Sequence, residues 1–323
     1  IMVGSGKGAK NGILFKNASA LELAGKVKTV VLDKTGTVTK GSPVVTRISC
    51  YNSFFSDFSE KEAEERLIHL AMSLEVKSNH PIAKAIVEKA KEYNLSPLEI
   101  SDFEEISGIG VKGVFEGKEL VCGKSGSSPS IIVRYDNKLA GEIFVEDEIK
   151  PDSAAAISLL NKMGIEVVML TGDNSITAEK IAQQVGIKNV VSNLLPSQKS
   201  DYVNKYKGQG ITIMVGDGIN DAPALTSADI GIAIGAGSDI AIDSADVILV
   251  KNSLIDVCAA IDLSKKVYKN IKENLFWAFF YNIICIPVAA GALYTTFGIK
   301  LSPVMGAVAM SMSSVCVCLN ALR

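Results

Sequence analysis

The sequence predicts an α/β fold, a doubly wound parallel sheet interrupted by an inserted α+β unit and followed by a helical hairpin, and three observations predict it. Three short apolar runs, Thr29-Val30-Val31-Leu32, Glu166-Val167-Val168-Met169-Leu170 and Ile211-Thr212-Ile213-Met214-Val215, each end in an Asp-bearing turn, with helix-like stretches at 154–163 and 178–185 interleaved. Continuous apolar runs of this length read as strands buried on both faces of a parallel sheet. Between the first and second runs, residues 43–144 change pattern, with helix-like segments at 59–71 and 82–93 and then short alternating strands with Gly turns, as in a separate α+β unit. Residues 274–298 and 301–322 are almost free of charge, and each stretch is long enough to cross a bilayer core.

Taken in order, the first strand delivers Asp33 at its carboxyl end, followed by Lys34-Thr35-Gly36-Thr37. An aspartate near its ordinary pKa is ionised at neutral pH and can attack a phosphoryl group without a base, provided a cation screens the two negative charges. Gly36 allows close backbone approach and Thr37 offers a hydroxyl donor; in isolation the same pattern reads first as a capped strand-to-helix turn, and the rest of the chain reverses that order. The second run ends in Thr171-Gly172-Asp173 and the third in Gly216-Asp217-Gly218-Ile219-Asn220-Asp221. Ligands of doubly wound sheets bind outside the carboxyl ends of the strands, so Asp33, Thr171, Asp217 and Asp221 are expected to gather there. Three carboxylates together call for a hard divalent cation, and Mg2+ shared with a substrate phosphate fits that need. Asp33 is then the in-line nucleophile, Asp217 and the backbone of Thr35 hold the metal, and Thr171 bonds the transferring group. Lys199 adds a cation for the equatorial oxygens, although alone it reads as a solvated lysine at a helix start.

At these residues a family becomes recognisable. Asp33-Lys34-Thr35-Gly36-Thr37, Thr171-Gly172-Asp173, Pro196-Ser197-Gln198-Lys199 and the Gly216–Asp221 stretch, in that order, resemble the phosphorylation domain of P-type ATPases, members of the haloacid dehalogenase-like superfamily. The resemblance adds Lys34, Gly172, Asp173 and Asn220 to the catalytic set, and Asp33 and Asp221 to the metal site. Soluble phosphatases of that superfamily usually carry a second Asp two residues after the nucleophile; Thr35 stands there in this chain. Without that built-in base an aspartyl phosphate is expected to persist.

Within the insert, Glu75-Val76-Lys77-Ser78-Asn79-His80-Pro81 and Gly108-Ile109-Gly110 stand out. Singly they read as a helix start with Pro in its first turn and as a turn. Together they resemble the nucleotide-binding domain of heavy-metal P-type ATPases, which implies that Glu75 and His80 contact or orient the adenine of ATP and that Gly108 and Gly110 let the backbone approach the nucleotide. Two departures stand beside this: Gly123-Lys124 occupies the place of the family's Gly-Asn, and the stretch from Ser125 to Ser130 is shorter than the family's helical segment.

In the charge-poor end, Lys265, Lys266, Lys269 and Lys272 precede the first stretch and Arg323 follows the second, so the positive-inside rule places both flanks in the cytoplasm. Polar groups inside spans point to function: Tyr281 and Asn282 lie ahead of Pro287, and Met310 and Ser314 are four apart on one helical face. A thioether with small oxygen donors suits Cu+, while ordinary packing explains the same residues equally well. The pattern resembles the last two helices of copper-transporting P-type ATPases, which implies Cu+ as cargo, silver as an alternate cargo, a copper chaperone as donor and the lipid bilayer as partner. The lysine and aspartate of zinc pumps are missing from these stretches. Cys285, Cys316 and Cys318 read as apolar filler.

Net charge is −2, which gives no reason to expect a nucleic-acid partner, and six scattered cysteines fit a reducing cytosol. The resemblance implies the carboxyl-terminal part of a pump, divided as 1–42 and 145–273 (phosphorylation domain, opening with the end of a preceding membrane helix), 43–144 (nucleotide-binding domain) and 274–323 (two membrane helices). Cu+ export driven by ATP through an aspartyl phosphate is the expected function; a membrane-tethered phosphatase, a zinc-type pump and a non-catalytic remnant are the alternatives.

Overall fold

The computed structural model describes residues 1–106, 109–124, 130–217, 219–235, 239–290, 298 and 303–321. Helix α1 (Met2–Lys10) leads to a short strand β1 (Ile13–Phe15) and to α2 (Ala18–Leu23), whose first turn is capped by the Asn17 side chain accepting from the Ala20 amide. Such a cap satisfies an orphan helix donor and stabilises by about 1 kcal/mol. Strand β2 (Thr29–Asp33) follows, and β3 (Thr39–Cys50) then carries the chain out of the first sheet. The insert contains α3 (Glu60–Glu75), α4 (Pro81–Lys91), β4 (Ser101–Ile106), β5 (Gly110–Phe115), β6 (Lys118–Lys124), β7 (Ser130–Tyr135) and β8 (Lys138–Ile149). The first sheet resumes with α5 (Ser153–Lys162), β9 (Glu166–Leu170), α6 (Ser175–Val185), β10 (Asn189–Val191), α7 (Pro196–Lys207) and β11 (Thr212–Gly216). It closes with α8 (Ala222–Ser227), β12 (Ile230–Ile234), α9 (Asp239–Ser244) and β13 (Val247–Leu249), before α10 (Ile255–Ala289) and α11 (Pro303–Ala321).

The first sheet runs β1-β13-β12-β11-β2-β9-β10 and is parallel except for β1. Its strands alternate between two cores: Val30, Leu32, Val167, Met169, Ile213 and Val215 face one, Val31, Val168, Leu170 and Met214 the other. Burial on both faces is why these runs are continuously apolar, and each such side chain contributes roughly 1.5–3 kcal/mol. After β2 the chain proceeds to β9 and β10 on one side and returns to β11 on the other. The order reverses at β2/β11, where doubly wound sheets place their ligand crevice.

The insert is an antiparallel sheet in the order β3-β8-β7-β6-β5-β4. Helices α3 and α4 bury Leu67, Ile68, Leu74 and Ile86 against Val111, Leu120, Val133 and Ile143. A reciprocal capping box between Ser59 and Glu62 starts α3.

The carboxyl-terminal stretch departs from expectation. Rather than a self-contained span, the first apolar run is the end of the 35-residue helix α10, whose root packs Leu254, Val257, Cys258 and Ile261 into the core of the parallel sheet. Its described apolar part, from 274 to 289, is about 24 Å long at 1.5 Å per residue, short of a hydrocarbon core about 30 Å thick. Among the described residues no helix is long and apolar enough to cross a membrane. Asparagines join α10 to α11: Asn270 donates to the Asn320 carbonyl at 2.8 Å and Asn320 donates to the Asn274 side chain at 2.9 Å.

Candidate active site

Asp33 ends β2, Thr171 follows Leu170, the register partner of Asp33, and Asp217 follows β11. One carboxylate oxygen from each of Asp33, Asp217 and Asp221 lies within 4.8 Å of the others. Lys199, on the first turn of α7, donates to Asp33 at 2.5 Å and to Asp221 at 2.8 Å. All of these side chains except that of Asp217 are buried. Gly36 has φ +72°, and a Cβ there would stand 1.5 Å from Asp217 Oδ2. The glycine is therefore set by the carboxylate pressed against it, beyond the freedom of a turn.

The electrostatics change one expectation. Burial, with the Asp221 charge, pushes the Asp33 carboxyl up to about 7 against the opposing pull of Lys199, so an ordinary ionised nucleophile is not what the fold alone provides. Burial and Asp221 also raise Asp217. Among the described residues one lysine, Lys199, hydrogen-bonds two of the three acids, and an all-oxygen donor set with surplus negative charge fits Mg2+, which would restore the ionised form of Asp33.

Around this core Lys34 pairs with Asp173 at 2.7 Å, and Thr171 Oγ1 accepts from the Asp173 amide at 3.1 Å. Gly172 lies in the same turn, where a Cβ would stand only 3.1 Å from the Leu194 carbonyl, a tight approach to backbone. Thr35 and Asn220 are exposed beside the cluster. Thr37 is fully buried, and its hydroxyl has no hydrogen-bond partner among the described residues. A dry, unpaired hydroxyl beside a carboxylate cluster is costly unless a ligand satisfies it.

On the insert, a cavity of about 470 Å³ is lined by Glu75, His80 and Gly110 together with Glu105, Ile109, Val111, Cys122 and Lys124. Burial, then the Glu105 charge, raises the Glu75 carboxyl to about 7. His80 is the amino-terminal cap of α4, its Nδ1 accepting from the Ile82 amide at 3.2 Å. Gly110 has φ +153°, and a Cβ would meet the Cys122 carbonyl at 2.1 Å, so close strand pairing already demands glycine there. Gly108 lies outside the described residues.

In the carboxyl-terminal helices Asn282 is exposed and donates to the Ala278 carbonyl at 2.9 Å. Ser314 is exposed on α11 and has an interaction of its own. The side chains of Tyr281 and Met310 lie outside the described residues. The sequence reading missed Lys150, which is buried and donates to the Gly36 carbonyl and to Asn252 Oδ1. It also missed Ser153, which donates to the Val38 carbonyl at 2.7 Å, and Thr39, which donates to Asp147. A Lys-Pro-Asp-Ser run after a strand carries no signal of its own.

The haloacid dehalogenase-like hydrolase profile matches residues 27–229. Over its whole length the chain is 46% identical to copper-transporting ATPase 1 of Rhizobium meliloti (strain 1021), of which it covers 41%. It spans less than half the length of the curated relatives it matches. The crystal structure of a zinc-transporting PIB-type ATPase in its E2.Pi state superimposes with a TM-score of 0.86 at 32% identity, covering 100% of this chain and 54% of that one. The catalytic domain of the CPx-ATPase CopB-B gives 0.69 at 32% identity, covering 81% of this chain and 98% of that one. The chain thus belongs to the haloacid dehalogenase-like hydrolases and, within them, to the PIB-type branch of the P-type ATPases, as the part that carries their catalytic domains.

Proposed function

We propose that Asp33 is phosphorylated by ATP and that, in the whole protein, this acyl phosphate drives export of Cu+, with Ag+ as an alternate cargo. One Asp33 carboxylate oxygen attacks the γ-phosphorus, an O–P bond forms, the bond to the β,γ-bridging oxygen breaks, and ADP leaves with that electron pair. No proton transfer is required. Asp33, Asp217, Asp221 and the Thr35 backbone would hold Mg2+, which supplies positive charge opposite the phosphate oxygens. Lys199 neutralises charge on the transferring group, Thr171 and the unpaired Thr37 hydroxyl donate to it, and Lys34, anchored by Asp173, fixes the loop. Asn220 and Gly172 border the phosphate. Glu75, His80 and the Gly108–Gly110 turn form the adenine end, with Lys124 in place of the family's asparagine.

The single observation that carries the reading is the Asp33, Asp217 and Asp221 cluster, with Lys199 bonded to Asp33 and Asp221 and Gly36 pressed against Asp217. Labelling with γ-32P-ATP and acid quench tests it: the label is expected to be acid-stable and absent in Asp33→Asn, whereas rapid release of phosphate with nothing trapped would favour a membrane-tethered phosphatase. For the cargo, the support is the 46% identity to a copper transporter, against 32% to a zinc transporter. Strict Zn2+ dependence of phosphorylation in the whole protein, when Cu+, Ag+ and Zn2+ are compared, would overturn it. Large apolar side chains exposed on the ends of α10 and α11, among them Phe276, Phe279, Ile283, Val308 and Val315, support placing this end in the bilayer, beside other helices of the pump, with the catalytic domains in the cytoplasm. Tyr281, Asn282, Met310 and Ser314 are the cargo ligands in this reading.

A further inference from the structure

The segment that returns the chain from the insert to the parallel sheet grips two distant places at once. Lys150 is 4% exposed. Its ammonium donates to the carbonyl of Gly36, in the loop that follows the nucleophile, and to the side-chain oxygen of Asn252, three residues before α10. The Lys150 amide donates to the Val38 carbonyl at 3.1 Å and Ser153 Oγ to the same carbonyl at 2.7 Å. Asp152, between them, accepts from Ser253 Oγ at 2.6 Å and from the Ile255 amide at 3.3 Å, capping the first turn of α10. Lys150, Asp152 and Ser153 thus clasp the nucleophile loop at Gly36 and Val38 on one side and the root of α10 on the other. Solvating a buried ammonium takes strong acceptors, and the two acceptors here belong to the nucleophile loop and to the segment that leads into α10.

We propose that Lys150 is a positioning residue for phosphoryl transfer to Asp33, and that through Asn252 it registers the nucleophile loop to the root of α10. The inference rests on the proposed phosphorylation of Asp33 and adds how that event reaches the helix that runs into the apolar end of the chain. Gly36 is where the register matters most. Its positive φ and its contact with Asp217 leave one orientation of the Gly36–Thr37 peptide, and the Lys150 hydrogen bond holds the carbonyl of that peptide, and with it the direction of the Thr37 amide, in place.

Three variants of the 323-residue chain test this: Lys150→Met, Lys150→Arg and Asn252→Ala. At saturating ATP, Lys150→Met and Asn252→Ala are expected to slow formation of acid-stable phosphoenzyme about 10- to 100-fold, the loss that a small misplacement of reacting groups produces. The ATP concentration giving half the maximal rate is expected to stay within about twofold, since ground-state binding is untouched. Lys150→Arg, which keeps the charge and donors, is expected to recover part of the rate. Hydrogen exchange reads the link to α10: with Mg2+ and beryllium fluoride, amides 253–262 of the unsubstituted chain should change protection, and in Asn252→Ala they should not. Asn252 is exposed, so its truncation leaves the core intact even where Lys150→Met fails to fold. A wild-type rate and exchange response in Asn252→Ala overturn this inference alone. No label on the unsubstituted chain, or label retained in Asp33→Asn, overturns the proposed function and this inference with it.

Discussion

At the tips of the parallel sheet charge is concentrated: among the described residues three acids, three buried lysines (Lys34, Lys150 and Lys199) and the buried, unpaired Thr37 hydroxyl gather where the strand order reverses. The cavity on the antiparallel sheet is instead walled mainly by Ile, Val, Cys and Gly, with the carboxyls of Glu75 and Glu105 and the Lys124 side chain as its charged groups. The two places solve opposite problems. In the proposed function, fixed charges at the first oppose the charge that develops on a transferring phosphoryl group, so errors there would change the rate of chemistry. At the second, apolar shape and a few polar groups would hold a flat base, so errors there would change binding. A single substitution can therefore be assigned to a region by whether it moves the maximal rate or the half-saturating ATP concentration.

The sharpest break in that contrast is Asp33→Asn, which should abolish acid-stable label by more than about 10³-fold while the cavity still binds ATP, as followed by calorimetry. Comparable loss of ATP affinity would mean that the two regions are not separable. Next comes Gly36→Ala. A Cβ set against the Asp217 carboxylate at positive φ should destabilise the chain by roughly 2–4 kcal/mol in urea unfolding and suppress labelling with it. Unchanged stability would show that Asp217 can step aside.

Glu75 offers a pH test. Its folded-state pKa of about 7 lies above the ordinary 4.5, so the fold favours the protonated form. The stability Glu75 contributes is full below about 4.5 and lost as pH rises through about 7. Glu75→Gln should flatten this dependence and be the more stable protein by about 3 kcal/mol at pH 8, with little difference at pH 4.5, as measured by thermal unfolding. A pH-independent gap between the two proteins would place the effect elsewhere. The smallest effect is expected at His80. Removing its cap in His80→Ala should cost about 1 kcal/mol, while His80→Asn keeps the cap. If the ring also meets the base, both variants lose ATP affinity alike; normal affinity in His80→Asn would leave His80 a helix cap and nothing more.

Much of the site was legible because strand tips announce themselves. Asp33, Thr171 and Asp217 follow apolar runs whose continuity marks buried parallel strands, and topology then obliges those tips to meet. Glu75, His80 and Gly110 line one cavity. Lys150 was not legible: it reaches Gly36 across 114 positions and Asn252 across 102, and a buried lysine looks like any surface lysine in sequence. The edge strands β1 and β10, three residues each, are too short to show a period. In the apolar carboxyl-terminal stretch, hydropathy records only the preference for a nonpolar neighbour. It does not say whether a helix begins there or continues from the core of the parallel sheet, as α10 does.

The sequence by itself determined the parallel sheet, the acids at its tips and the family, because each is encoded locally, in a run of apolar residues and the turn that ends it. Only the tertiary structure decided the upward shift of the Asp33 carboxyl, the requirement for glycine at position 36 and the grip of Lys150 on the nucleophile loop. Each of these depends on how closely side chains distant in sequence approach, and Coulomb, desolvation and steric energies are set by distances and burial that exist only once the chain has folded.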